Sequence, residues 1–153
     1  MLPDWAPNLH PLIVHFPIAW LIAAQAADLV SLVSPRAPWA GTMAAYLYPA
    51  GAASAMGAYF SGRQAAASVL TPGMAHPTVL EHWNWALATT LYFTAFAAVR
   101  VVLARRARRP PLWTRVGLAA AGLAGMVLLV QTGEHGARLV FEHGLGVMPR
   151  TGR

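Results

Sequence analysis

The stretch Asn8-Leu9-His10-Pro11-Leu12-Ile13-Val14-His15-Phe16-Pro17 opens an apolar run that lasts to Val33. Between Leu12 and Val33 the strongly polar residues are Gln25 and Asp28. About 22 residues at roughly 1.5 Å each make a helix of about 33 Å, enough to cross a hydrocarbon core of about 30 Å. The run predicts a membrane-spanning helix over about residues 11–33, with His15 about one turn inside the membrane edge. Asn8 or His10 is placed to cap it. Pro11 falls in its first turn, where a missing N–H costs nothing. Pro17 cannot donate to the carbonyl of Ile13, so the helix should loosen or bend just below His15.

The rest of the chain has the same character. Its 153 residues are 57% hydrophobic and 10% charged, against about 25% charged in soluble domains. Mean hydropathy is +0.47. A water-soluble fold of this size has too little interior to hide so much apolar surface. The formal net charge is +6, and all 11 basic residues are arginine. Six of them lie between Arg100 and Arg115, flanking apolar runs, which reads as a membrane-topology signal and not as a nucleic-acid surface. There is no cysteine, which excludes disulfides, thiolate metal sites and cysteine nucleophiles. No basic residue precedes the first span, whereas Asp4 does, so that span reads as an uncleaved helix and not a signal peptide.

Taken in order, Ser34–Trp39 is a short turn with Pro35 and Pro38. A second helix is predicted over about 40–61, rich in alanine and glycine, with Pro49 at mid-span expected to kink it. Small residues let helices approach closely in lipid. Ser61–Glu81 reads as the longest connection, with Arg63–Leu70 as a short surface helix. A third helix is predicted over about 82–104, opening on the aromatic pair Trp83 and Trp85. Arg105–Arg115, with Pro110 and Pro111, is a basic turn. The fourth helix is predicted over about 112–134 and carries the small residues Gly117, Ala121, Gly122 and Gly125. The tail repeats a tripeptide, Glu134-His135-Gly136 and Glu142-His143-Gly144, and its glycines are expected to break it and fold it back onto the helix ends. The expected fold is one all-α domain over 1–153, an integral membrane four-helix antiparallel bundle.

The arginine cluster should stay in the cytoplasm. Both termini then lie outside, and the expected location is the bacterial inner membrane. Under this topology all six histidines, His10, His15, His76, His82, His135 and His143, gather on one face. Imidazole is a common ligand of metals and of haem iron, and polar residues at membrane depth are functional candidates by default. Three of the five acidic residues directly precede a histidine. Neighbours on a helix point about 100° apart, so each glutamate is better placed to orient a histidine from another segment than to share an ion with its own neighbour. Asp28 and Arg100 are charges inside apolar runs, and a structural ion pair between them is expected.

The two ends of the chain, Leu9-His10-Pro11-Leu12-Ile13-Val14-His15-Phe16-Pro17-Ile18-Ala19 and Arg138-Leu139-Val140-Phe141-Glu142-His143-Gly144-Leu145-Gly146-Val147, resemble a family of small bacterial membrane proteins, the domain-of-unknown-function 2231 family. The similarity runs from about Trp5 to Val147. It implies a four-span membrane protein akin to two-haem cytochrome bundles, with His10, His15, His82 and His143 on matching positions, and it implies no activity.

Three functions remain open from the residues. One is a redox protein holding haem b, drawing ligands from His15, His82, His143, His10 and His135. Another is a non-haem zinc, copper or iron site built from His15, His82 and His143. The third is an accessory subunit of a membrane complex. The expected partners are the lipid bilayer and a redox or respiratory membrane protein, with no nucleic acid. The sequence does not decide the oligomeric state or whether the protein is an enzyme. No serine stands in a Gly-x-Ser-x-Gly turn.

Overall fold

The computed structural model describes residues 8–68, 71, 73–106 and 110–146. The middle of the basic turn and the lead-in before Asn8 fall outside these residues.

Every regular element described is helical. At the start of the described residues the side-chain Oδ1 of Asn8 accepts the backbone N–H of His10 at 3.1 Å. A single turn, α1 (His10–Ile13), follows with Pro11 at its start. Val14 interrupts the helix before α2 (His15–Val33). The cause is Pro17, which has no N–H for the Ile13 carbonyl. Ser34 turns to extended backbone and ends α2. A tight turn, closed by Ala37 N–H to the Ser34 carbonyl at 3.2 Å, leads into α3 (Pro38–Ser68). A 3-10 turn (Gly73–Ala75) precedes α4 (His76–Arg106). Pro111, extended at φ −60° and ψ 158°, sets up α5 (Leu112–Phe141).

The helices extend beyond their apolar cores, and this corrects the expected boundaries. Arg63 is not the start of a separate surface helix but continues α3. α4 begins at His76, six residues before its apolar part. α5 runs on to Phe141, so Gly136 sits inside a helix and does not break the chain. The break comes at Gly144, with φ 65°, a backbone conformation that glycine adopts without strain. There Leu145 N–H bonds back to the Leu139 carbonyl at 2.9 Å.

The four long helices form a ring: α2 packs on α3, α3 on α4, α4 on α5, and α5 closes against α2. Three stretches are long and apolar enough to cross a membrane, His10–Val33, Gly73–Arg106 and Leu112–Phe141. With 31 residues, α3 has the length, but its many small and tyrosine residues leave it less apolar. The core joins Leu21, Ala24 and Ala27 of α2 to Ala44, Tyr48 and Ala52 of α3 and to Phe93, Phe96 and Ala97 of α4. The outer surface carries apolar side chains such as Val33, Leu91, Val99, Val127 and Val130, suited to lipid.

Polar groups cross the middle of the ring. Arg100 of α4 forms a bidentate pair with Asp28 of α2, Nη1 to Oδ2 at 2.6 Å and Nη2 to Oδ1 at 2.9 Å. Both side chains are buried. The guanidinium lies 4.7 Å over the Tyr48 ring, a favourable cation–π placement. Tyr48 donates to Gln25 Oε1 at 2.8 Å, and Gln25 Nε2 donates to the Ala119 carbonyl at 3.3 Å. Gly122 makes room for this chain, because a Cβ there would collide with the Gln25 amide and the Tyr48 hydroxyl.

Candidate functional site

The ring that the core seals on the arginine side is hollow on the other. A cavity of about 460 Å³ lies between the helix ends there. It is bordered by His10, His15, Pro17 and Ile18 near the start of the chain, by Ala55, Ala58 and Gly62 of α3, by His82, Trp83 and Thr90 of α4, and by Leu129, Thr132, Gly133 and Gly136 of α5. The wall is mostly apolar, and among these residues none is acidic or basic apart from the imidazoles.

Two imidazoles are built into this wall by the same device. His82 Nδ1 lies 3.1 Å from the Thr132 carbonyl. A carbonyl only accepts, so His82 Nδ1 carries the proton and Nε2 keeps its lone pair. The ring is seated over Gly136, four residues after Thr132, where a Cβ would stand 3.2 Å from Cε1. His10 Nδ1 lies 3.0 Å from Ser61 Oγ. Ser61 gives its own proton to the Ala58 carbonyl at 3.0 Å, so it accepts from His10, and here too Nε2 keeps the lone pair. The His10 ring is seated over Gly62, where a Cβ would come within 2.8 Å of Cε1. Each imidazole is thus fixed by a hydroxyl or carbonyl and a glycine on a neighbouring helix. His10 and His135 both lie within electrostatic reach of His82.

The other histidines take different places. His15 borders the cavity and is exposed. Nδ1 of His135 donates to the Gln131 carbonyl at 2.8 Å, and its Nε2 stands 3.5 Å from Glu81 of the facing helix. Glu81 therefore serves a histidine from another segment and not its neighbour His82. His143 bonds through Nε2 to the Thr78 hydroxyl at 3.0 Å, just before Leu145 and Gly146, which do line the cavity. The structure brings His10, His15 and His82 to one cavity and holds His143 against α4. Among the described residues no three His, Asp or Glu side chains converge to hold a metal ion.

Ser61, Gly62, Thr132 and Gly136 carry the site as much as the histidines do. The Thr132–Gly136 spacing sets a carbonyl and a gap on one helix face, which is a readable signal. Nothing near Ser61 marks it as the partner of a residue 51 positions away.

A four-helix ring with a polar strut, an apolar outer surface and three helices of membrane-spanning length and hydropathy defines a helical membrane protein. The chain belongs to the family described as predicted membrane protein (DUF2231), whose family model matches residues 6–149. No curated protein and no solved structure matches it.

Proposed function

We propose that this protein serves electron transfer in the bacterial inner membrane through haem b, which His10 and His82 would hold in the histidine-lined end of the bundle. One observation carries the reading. Two imidazoles from separate segments border one apolar cavity, and each is anchored through Nδ1 by a third element so that Nε2 is left for a metal. Such an anchor fixes the tautomer and raises the basicity of the ligand. Bound haem supplies a one-electron couple whose potential responds to axial ligands and burial.

The residues fit that group. The donors are neutral nitrogens, and the wall is built of small side chains, among them Ala55, Ala58, Gly62, Gly133 and Gly136. The uncharged wall would turn the haem carboxylates toward the open end, where Arg63 lies 5.2 Å over the Trp83 ring. The arginine-rich α4–α5 connection is assigned to the cytoplasm, which sets this end, and both termini, outside. A redox or respiratory membrane protein is the partner class this arrangement serves.

Protein purified in mild detergent from haem-replete cells is expected to show a Soret band with about one haem per chain. His10→Ala and His82→Ala should each remove it, whereas His143→Ala should retain it. Colourless wild-type protein would overturn the reading. Loss of the band only in His143→Ala would move the ligands to the tail.

A further inference from the structure

The cavity has a side opening that the histidine pair does not use. α2 and α5 are joined toward the arginine-rich end, where Gln25 bonds the Ala119 carbonyl and Arg115 bonds the Ser31 carbonyl. Toward the histidine end both helices border the cavity with exposed residues, His15 and Ile18 on α2 and Gly133 and Ala137 on α5. A Cβ added to Gly133 meets nothing within 4 Å. Among the described residues the cavity therefore opens sideways between α2 and α5, onto the lipid-facing surface. On α2 the opening lies about 7–12 Å inward of His10 along the helix axis, and on α5 it is level with Thr132 and Gly136, which seat His82. His15 stands in it with no hydrogen bond among the described residues. An imidazole left unpaired at membrane depth costs free energy, and such groups mark ligand sites.

The lining selects the chemistry of a ligand. Among the described residues no Asp, Glu, Lys or Arg borders the cavity, and its polar groups are imidazoles, hydroxyls, the Asn8 amide and the Trp83 indole. An ionised headgroup finds no countercharge in such a wall. A flat neutral ring bearing oxygens finds apolar contact and hydrogen-bond partners together. Access from the bilayer requires a ligand that dissolves in lipid.

We propose that the side opening binds the head ring of a lipid-soluble quinone, with His15 hydrogen-bonded to a ring oxygen and the isoprenoid tail passing out between α2 and α5. This goes beyond the haem reading and does not rest on it, because it is argued from His15, the opening between α2 and α5 and the uncharged lining, none of which needs a ligated iron.

The full chain in phosphatidylcholine nanodiscs loaded with menaquinone-4 tests it, by counting quinone retained per chain against empty nanodiscs. About one menaquinone-4 above the lipid background is expected. Gly133→Leu starts from a position where an added Cβ meets nothing within 4 Å, puts a bulky side chain into the opening and should cut retention about tenfold. His15→Ala removes one hydrogen bond and should weaken binding about fivefold. Thermal melting of both variants checks that they fold. Retention at the lipid background, or wild-type retention in both folded variants, would overturn the proposal. Soret absorbance of the same wild-type samples scores haem separately: quinone retained without a Soret band, or a Soret band without retained quinone, tells which of the two readings has failed.

Discussion

Asp28 and Arg100 take the place of water for each other. Two oxygens meet two nitrogens, and the guanidinium is backed by the Tyr48 ring. Removing one partner leaves a buried charge with nothing to answer it, a loss of about 3–5 kcal/mol. Asp28→Asn and Arg100→Gln should each lower the melting temperature in detergent, and the double substitution should cost less than their sum. Strictly additive losses would show the pair to be uncoupled. This contact was legible in the sequence because charge is rare inside apolar runs. Tyr48, which ties the pair to Gln25, was not, because a tyrosine in a helix full of small residues carries no mark of its partner. The same holds for His10: its type and place point to a site, but the Ser61 hydroxyl that fixes its tautomer comes from another helix.

The number and order of the long helices follow from the apolar runs, and their ends do not. Hydropathy marks where a helix meets water, whereas a helix stops where its backbone bonds stop. The polar first turns of α4, with Thr78 and Glu81, therefore read as a connection, and the last turns of α5, with His135 and Arg138, as a tail, although both are helical. Those extensions hold most of the site's outer contacts, including His143 to Thr78 and His135 to Glu81. Proline is a guide in one place and not in the other: Pro17 marks the break at Val14, whereas α3 runs on as one helix through Pro49. Pro17→Ala should supply the missing N–H to Ile13 and fuse α1 with α2. Hydrogen exchange over residues 10–20 is expected to slow by about an order of magnitude. Exchange that stays fast would mean that something other than the proline holds the break open.

At the scale of the whole molecule the bundle is asymmetric along its length. One end is packed with Tyr48, Phe93 and Phe96 around the ion pair, and the other is hollow and lined with imidazoles. The gathering of histidines at one end was readable because an even number of helices returns the chain to the same side. The cavity itself was not readable, since it depends on how far α2 and α5 stand apart. The basic α4–α5 connection predicts an orientation with that connection in the cytoplasm. A reporter that works only in the cytoplasm, fused after Arg153, is expected to be silent. An active one would invert the molecule and turn its hollow end toward the cytoplasm.

The strut between Asp28 and Arg100 also sets a clock on assembly. The two residues are 72 positions apart. At a synthesis rate of about 5–20 residues per second, the carboxylate leaves the ribosome about 4–15 s before its guanidinium. Through that interval the first helix carries an unanswered charge, which insertion scales set at about 2.5–3.5 kcal/mol near a helix centre. The nascent helix then either keeps Asp28 protonated or waits beside the insertion machinery. α2 and α4 lock together only when Arg100 arrives, and the ring closes after that, when α5 packs against α2, so the order of assembly follows the order of translation.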